Sequence, residues 1–335
     1  MTDLPWHKAQ WTLVRKQRHS GRQPHALLLI GSPDLGKRIF AHTLAASKLC
    51  REPVMDSDGN FRQCNDCSSC HLLHADTHPD FLVIQPEDSK QILIDQIRLL
   101  NQWVAQTSGQ GGEKVALLYP AEQMNLQAAN ALLKCLEEPT PNTLFILVSD
   151  QPTRLLPTIM SRCQYLSFPM PAVDTALSWL RENGDVSLDL KQALAVAGGS
   201  PLKVLRDIND DFMSRRREVM SSIHRLLLGK VTSLDVSESL LKYEPQEVIR
   251  SIQSIVDDTV KYLMTGDQVI LANGDSLEVI RQLGTNLGVE NLFILSDKIY
   301  QVLSDLESTS NPNPQLLIES LLISCKGQDT RQPCL

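Results

Sequence analysis

Residues 31–37 read Gly31-Ser32-Pro33-Asp34-Leu35-Gly36-Lys37, the G-x-x-x-x-G-K spacing of a loop that cradles phosphates. In such a loop backbone N–H groups hold phosphate oxygens, the lysine reaches the outer ones, and a hydroxyl on the next residue ligates Mg²⁺. Here the next residue is Arg38. A guanidinium has five N–H donors and no acceptor, so Arg38 cannot ligate a metal and adds positive charge beside it. Gly31, Gly36 and Lys37 therefore make a degenerate phosphate loop, and neither ATP binding nor ATP hydrolysis by this chain is expected.

The other half of a nucleotide site is a strand ending in an acidic pair, which holds Mg²⁺ and activates water. The apolar run Val115-Ala116-Leu117-Leu118 ends instead in Tyr119-Pro120-Ala121-Glu122. Neither Tyr119 nor Pro120 does a carboxylate's work, and Glu122 comes two residues too late, on what reads as a solvated turn. Both elements that would handle the metal are missing together.

A second group of residues points to a different metal chemistry. Cys64-x-x-Cys67-x-x-Cys70, with Cys50 upstream, places four thiols in one short polar segment. Tetrahedral Zn²⁺ takes four thiolates, and close C-x-x-C spacing lets a short chain wrap the ion. Four protein ligands leave no open position for water, so such a site is structural. His71, His74 and His78 lie close enough in sequence to replace Cys50 as fourth ligand, and free or redox-active thiols are the competing reading.

The elements that must position these residues follow from periodicity. Ala26–Ile30 is a continuous apolar run too short for a helix, and so a buried strand feeding the loop at Gly31. Residues 81–84, 115–119, 144–148 and 164–168 are further strands. Helical spacing marks 6–18, 36–49, 94–105 and 126–138, the last stopped by Pro139. Strands alternating with helices predict an α/β core with a largely parallel sheet covered on both faces. Residues 50–80 break this pattern as an insertion. After Phe168 no strand follows. Short helices over 173–183, 187–197 and 201–209 make a small unit, and longer ones over 212–228, 245–264, 290–306 and 314–324 make a bundle. The expected domains are 1–168 (α/β core, with the cysteine insertion at about 50–80), 169–210 (helical lid) and 211–335 (all-α).

Composition narrows the function. The 335 residues carry 32 Lys and Arg against 39 Asp and Glu, a net charge of −7, which excludes a strong electrostatic footprint for DNA or an acidic membrane. No apolar run reaches the length of a membrane span, and residues 1–10 are too polar for a secretion signal, so the expected address is the cytoplasm. In that reducing compartment clustered cysteines favour metal over disulfides. Arg215-Arg216-Arg217, with Arg225, reads as a solvated basic helix face. No Ser-His-Asp arrangement or carboxylate pair suggests a separate hydrolase.

Asn130-Ala131-Leu132-Leu133-Lys134-Cys135-Leu136-Glu137-Glu138-Pro139, followed by Ser161-Arg162-Cys163, resembles the bacterial clamp-loader ATPase family of AAA+ proteins. Gly21-Arg22-Gln23-Pro24-His25-Ala26 and the cysteine insertion fit it too. Within that family the defective loop is similar to the delta-prime branch of DNA polymerase III rather than to the gamma/tau motors, which carry a hydroxyl, Asp and Glu where this chain has Arg38, Tyr119 and Pro120. Leu202 also falls where motors carry a nucleotide-sensing arginine. The resemblance implies a subunit without activity of its own, in a hetero-pentamer with gamma/tau motor subunits and a delta subunit. That ring opens a sliding clamp and places it on primed DNA. It implies that Ser161-Arg162-Cys163 offers Arg162 to ATP on the neighbouring motor, with Cys163 merely packed. It also implies that 211–335 is a collar for oligomerisation. An active gamma/tau-like ATPase and a stand-alone zinc-containing DNA-binding protein are the alternatives.

Overall fold

A computed structural model describes residues 4–21, 23–87, 89–110, 112–184, 189–266, 271–307 and 313–327. Arg22 of the family-like stretch, and residues 187–188 at the start of an expected helix, lie outside the described residues. The chain divides into two compact units, Met1–Ala176 and Leu177–Leu335.

In the first unit a 3₁₀ turn (Pro5–His7) leads into α1 (Lys8–His19), then β1 (Ala26–Ile30) and α2 (Lys37–Leu49). A small insert follows: the antiparallel pair β2 (Val54–Met55) and β3 (Phe61–Arg62), then α3 (Ser68–His74). The core resumes with β4 (Phe81–Ile84), α4 (Ile94–Ala105), β5 (Lys114–Leu118), α5 (Leu126–Glu137), β6 (Thr143–Ser149), α6 (Pro157–Met160) and β7 (Gln164–Ser167). The five long strands form one sheet in the order β4-β5-β6-β1-β7, every pair parallel.

Alternation within the strands explains the layers. Leu28, Ala116, Leu118, Phe145 and Leu147 point to one face, where Ile97 and Leu100 of α4 and Leu132 and Leu136 of α5 cover them. Leu27, Leu29, Val115, Leu117 and Ile146 point to the other, against Trp11, Phe40 and Leu44. Because both faces are buried, the strands read as unbroken apolar runs. Each such Leu or Ile stabilises the fold by about 1.5–3 kcal/mol on burial. α5 starts where the Asn125 side chain accepts the Ala128 N–H at 2.8 Å, a side-chain cap that fixes where Glu137 falls twelve residues on. The strands share one direction, so the turns after β1, β5 and β6 open on the same edge of the sheet.

The helix α7 (Val173–Asn183) carries the division between the units. Within the second unit α8 (Leu190–Val196) and α9 (Pro201–Asp207) are short, and Ser200 caps the latter. The bundle comprises α10 (Asp210–Leu227), α11 (Ser233–Leu240), α12 (Pro245–Thr265), α13 (Leu277–Glu307) and α14 (Pro314–Cys325), around an aliphatic core that includes Ile252, Ile255, Leu283, Leu292 and Leu322. Two features depart from expectation. Polar Ser and Glu residues hide α11 from a periodicity reading, yet Val236 and Leu240 are buried and a Thr232–Asp235 capping box starts the helix. Helix α13 begins at residue 277 rather than 290 and passes through Gly288, which breaks it with φ 68° and ψ 173°. Among the described residues no helix is long and apolar enough to cross a membrane.

The basic stretch of α10 is a solvated face only in part: Arg217 and Arg225 are exposed, but Arg215 and Arg216 are engaged. Arg216 is buried, and its guanidinium donates twice to Asp275, at 2.9 and 2.8 Å, and to the Asn273 side chain at 2.8 Å. Asn273 in turn donates its backbone N–H and its amide to Asp258 of α12, at 2.6 and 2.8 Å. Arg215 pairs with Glu247 at 2.9 Å. Only the helix's one-in-3.6 geometry separates the buried Arg216 from its exposed neighbour Arg217, a distinction that a run of three arginines conceals. Arg216→Ala should therefore lower stability by about 3 kcal/mol, because it strands Asp275 and Asn273 without their donor. Urea unfolding followed by circular dichroism measures this, and a loss under about 1 kcal/mol contradicts it.

Candidate functional site

The turn after β1 has the shape its sequence implies. Asp34 and Gly36 take left-handed backbone at φ 59° and 83°, and α2 begins directly after them. Gly31 has a packing reason as well, since a Cβ there would lie 2.3 Å from the Phe168 carbonyl oxygen. The preceding segment clamps the loop from outside. The Trp6 indole N–H (3.0 Å) and His7 Nε2 (2.8 Å) both donate to the Leu35 carbonyl. Burial pushes the His7 pKa down to about 4, so the ring is neutral and keeps its proton on Nε2 for that bond.

Lys37 is only 3% exposed, and it is not directed at open space. Its ammonium donates to the carbonyls of Gly31 (2.7 Å) and Ser32 (2.6 Å) and pairs with Asp150 Oδ1 at 2.6 Å. The two positions that fail as metal ligands meet each other instead. The Arg38 guanidinium lies over the Tyr119 ring, 4.1 Å from its centroid. Such a cation–π contact is worth about 0.5–2 kcal/mol. Burial raises the Tyr119 pKa, so it presents a neutral phenol, not an anionic ligand. Glu122 is not on a solvated turn: it is half-buried, and one carboxylate oxygen accepts the backbone N–H groups of Asp150 (3.0 Å) and Gln151 (3.2 Å). Its chain position, just past β5, puts it beside the turn that leaves β6.

Arg162 lies on the turn between α6 and β7. Its guanidinium donates to the Thr158 carbonyl (2.9 Å) and the Ser161 hydroxyl (3.2 Å) and pairs with Glu137, the last residue of α5, at 2.6 Å. The two separated sequence stretches, 130–139 and 161–163, are thus joined through Glu137 and Arg162. Burial holds the Cys163 pKa at about 12, so that thiol stays protonated and unreactive at neutral pH.

Cys50, Cys64, Cys67 and Cys70 come together, with all four sulfurs within 4.8 Å of one another. Five of the separations lie between 3.5 and 3.9 Å. A tetrahedron with Zn–S bonds of about 2.3 Å has edges of about 3.8 Å, so the arrangement fits zinc. The backbone N–H groups of Cys64 and Cys67 each donate to a cluster sulfur at 3.3 Å, which favours thiolates. His78 is engaged elsewhere: its Nδ1 accepts the Asp80 N–H at 3.1 Å, leaving Nε2 to donate to Ser69 Oγ at 2.8 Å. The Ser69 hydroxyl passes this on to the Leu49 carbonyl at 2.6 Å, which ties α3 to the end of α2. The β2–β3 tip is fastened to α1 by Arg18 over Phe61 (3.8 Å) and Arg62 over Trp11 (4.0 Å).

Known proteins resemble this chain over most of its length. A family model described as DNA polymerase III, delta subunit, matches residues 6–172, and one described as its C terminal matches 210–327. The chain is 37% identical to the DNA polymerase III subunit delta' of Pseudomonas aeruginosa, over 96% of this chain and 97% of that one. It belongs to the DNA polymerase III delta-prime family. The subunit delta' of Haemophilus influenzae is 30% identical, over 95% of each chain. A solved gamma-subunit-related protein from Thermotoga maritima is 18% identical with a TM-score of 0.40, covering 93% of this chain and 97% of that one, a likeness too loose to bear on function.

For this delta-prime family member, sequence reasoning missed three residues of the site. Asp150 follows β6 with no motif around it, and only the sheet order brings it beside Lys37. Glu137 lies in the stretch that carries the family resemblance, but nothing there assigns it to Arg162. His7 precedes the loop by 24 residues as an isolated histidine. In each case the contact joins segments far apart in the chain, and no spacing rule reports it.

Proposed function

We propose that this chain is a non-hydrolysing delta-prime subunit of a DNA polymerase III clamp loader. On this reading 1–168 is the AAA+ core, 169–210 a lid and 211–335 a collar that assembles the ring. The single observation that carries the reading is the Arg38–Tyr119 contact at 4.1 Å. Where a working site needs a hydroxyl and a carboxylate around Mg²⁺, this chain places a cation packed on a ring. A divalent ion there would meet a like charge and no anionic oxygen from either position.

The chain still has something to give to a neighbour. Arg162, half-exposed on its turn, would reach the γ-phosphate of ATP held by a gamma/tau motor subunit across the boundary. A planar fork stays charged, matches phosphate oxygens bidentately, and stabilises charge that develops as the phosphoryl group leaves. The delta subunit and the motors would complete the hetero-pentamer, and the sliding clamp and primed DNA would be met by that ring rather than by this acidic chain alone. Cys50, Cys64, Cys67 and Cys70 would hold one zinc ion. Bound there, zinc supplies a cross-link, not catalysis, since four protein ligands leave no position for water. DNA polymerase activity would belong to the holoenzyme.

The isolated chain should not turn over Mg-ATP, whereas a loader reconstituted from motor and delta subunits should load clamps only when the chain is added. A malachite-green phosphate assay and a clamp-loading assay test both halves. Steady turnover by the isolated chain removes the reading.

A further inference from the structure

We infer that the phosphate loop is an anion site already filled by the chain's own Asp150, and that this carboxylate keeps a diphosphate group out. The inference rests on the non-hydrolysing reading above, but adds to it a cause that the lost metal ligands do not supply. Loss of Mg²⁺ ligation explains the absence of hydrolysis. It does not by itself prevent phosphates from binding, because backbone N–H groups and the loop lysine do that work.

The loop itself keeps a phosphate-binding shape. Asp34 and Gly36 keep their left-handed backbone, and α2, thirteen residues long, begins at Lys37. What has changed is the lysine's occupancy. An ammonium has three N–H donors, and Lys37 has three acceptors at 2.6–2.7 Å: Gly31 O, Ser32 O and Asp150 Oδ1. An incoming phosphate would have to displace the carboxylate from Lys37. It would then sit beside a like charge in a site where Lys37 is 3% exposed and water screens poorly. Asp150 is held there by more than its ion pair. Glu122 accepts the backbone N–H groups of Asp150 and Gln151, which fixes the turn that delivers the carboxylate. Asp150 itself is 38% exposed, at the mouth of the site, so exchanging it for a neutral isostere leaves no cavity.

Asp150→Asn should therefore uncover the site. The probe is inorganic pyrophosphate in EDTA, without magnesium, with binding to the full-length chain followed by calorimetric titration and thermal shift. The variant should bind pyrophosphate roughly tenfold or more tightly than the unaltered chain, as expected from replacing a repelling carboxylate by an amide in a partly screened site. Asp150→Glu, which keeps the charge, should show no gain, and Lys37→Met added to Asp150→Asn should abolish it. The proposal is overturned if Asp150→Asn binds no better than the unaltered chain, if Asp150→Glu gains equally, or if the gain survives loss of Lys37. Mg-ATP turnover by Asp150→Asn is a separate readout. Turnover alongside the gain in binding would remove the non-hydrolysing reading while leaving the masked anion site in place.

Discussion

Arg162→Ala is expected to slow ATP turnover at the adjoining motor site by about 10³-fold, the lower end of what such arginines supply. That factor corresponds to about 4 kcal/mol of transition-state stabilisation. An effect this large is reasonable only if the guanidinium acts in a closed boundary, where phosphate charge is poorly screened. In the chain by itself the same side chain contributes little. Its pair with Glu137 at 2.6 Å lies on a partly exposed surface, where ion pairs are worth under about 1 kcal/mol. Folding and ring assembly should thus survive the substitution, which separates the catalytic loss from a structural one. Arg162→Lys should recover only part of the rate, because an ammonium is a point charge without the planar fork. Single-turnover hydrolysis in a reconstituted loader, alongside size-exclusion chromatography of the assembled ring, measures both. Unchanged turnover beside Arg162→Ala excludes Arg162 from the mechanism.

The combined substitution of Cys64 and Cys67 by serine should remove one bound zinc per chain and unfold the insert between α2 and β4. The insert has little else to hold it. Val54 and Met55 are exposed, the β2–β3 pair is two residues long on each side, and the buried residues of α3 are Ser69 and Cys70. Structural zinc in comparable small modules contributes on the order of 10–16 kcal/mol, far more than this segment's apolar burial returns. Atomic absorption on reduced protein gives the metal content, and limited proteolysis gives the local unfolding, as new cleavage sites within about residues 51–78. The sheet should persist, since its two faces are covered mainly by α1, α2, α4 and α5, and the insert adds to that cover only the partly buried Leu73 of α3. Metal-free wild-type protein with an intact, protease-resistant insert would defeat the assignment. The module would then have to be held by the cation–π contacts of Arg18 with Phe61 and Arg62 with Trp11, and by the Ser69 hydrogen bonds to Leu49 and His78.

Much of the first unit was legible in sequence because its signals are local. Five short apolar runs bounded by turn residues gave the strands within a residue or so, and the helix over 94–105 matches α4 at both ends. The bundle was less legible. Helix α11 has too few apolar residues to show a stripe, and two glycines mask the first half of α13, although Val279, Ile280, Leu283 and Leu287 are buried there. For such helices, tertiary burial decides what propensity leaves open.

The sequence by itself determined that Arg38, Tyr119 and Pro120 cannot serve a metal and that four thiols lie within reach of one ion. Those conclusions rest on functional groups and spacing, which a chain carries whether folded or not. Only the tertiary structure decided that Arg38 packs on Tyr119, that Glu137 holds Arg162, that Arg216 is buried, and that Lys37 is neutralised by Asp150. Each of these joins residues brought together by the order of strands in the sheet or by the packing of helices. Short-range pattern carries no record of such meetings, because the energy that selects them comes from burial and charge pairing between distant segments.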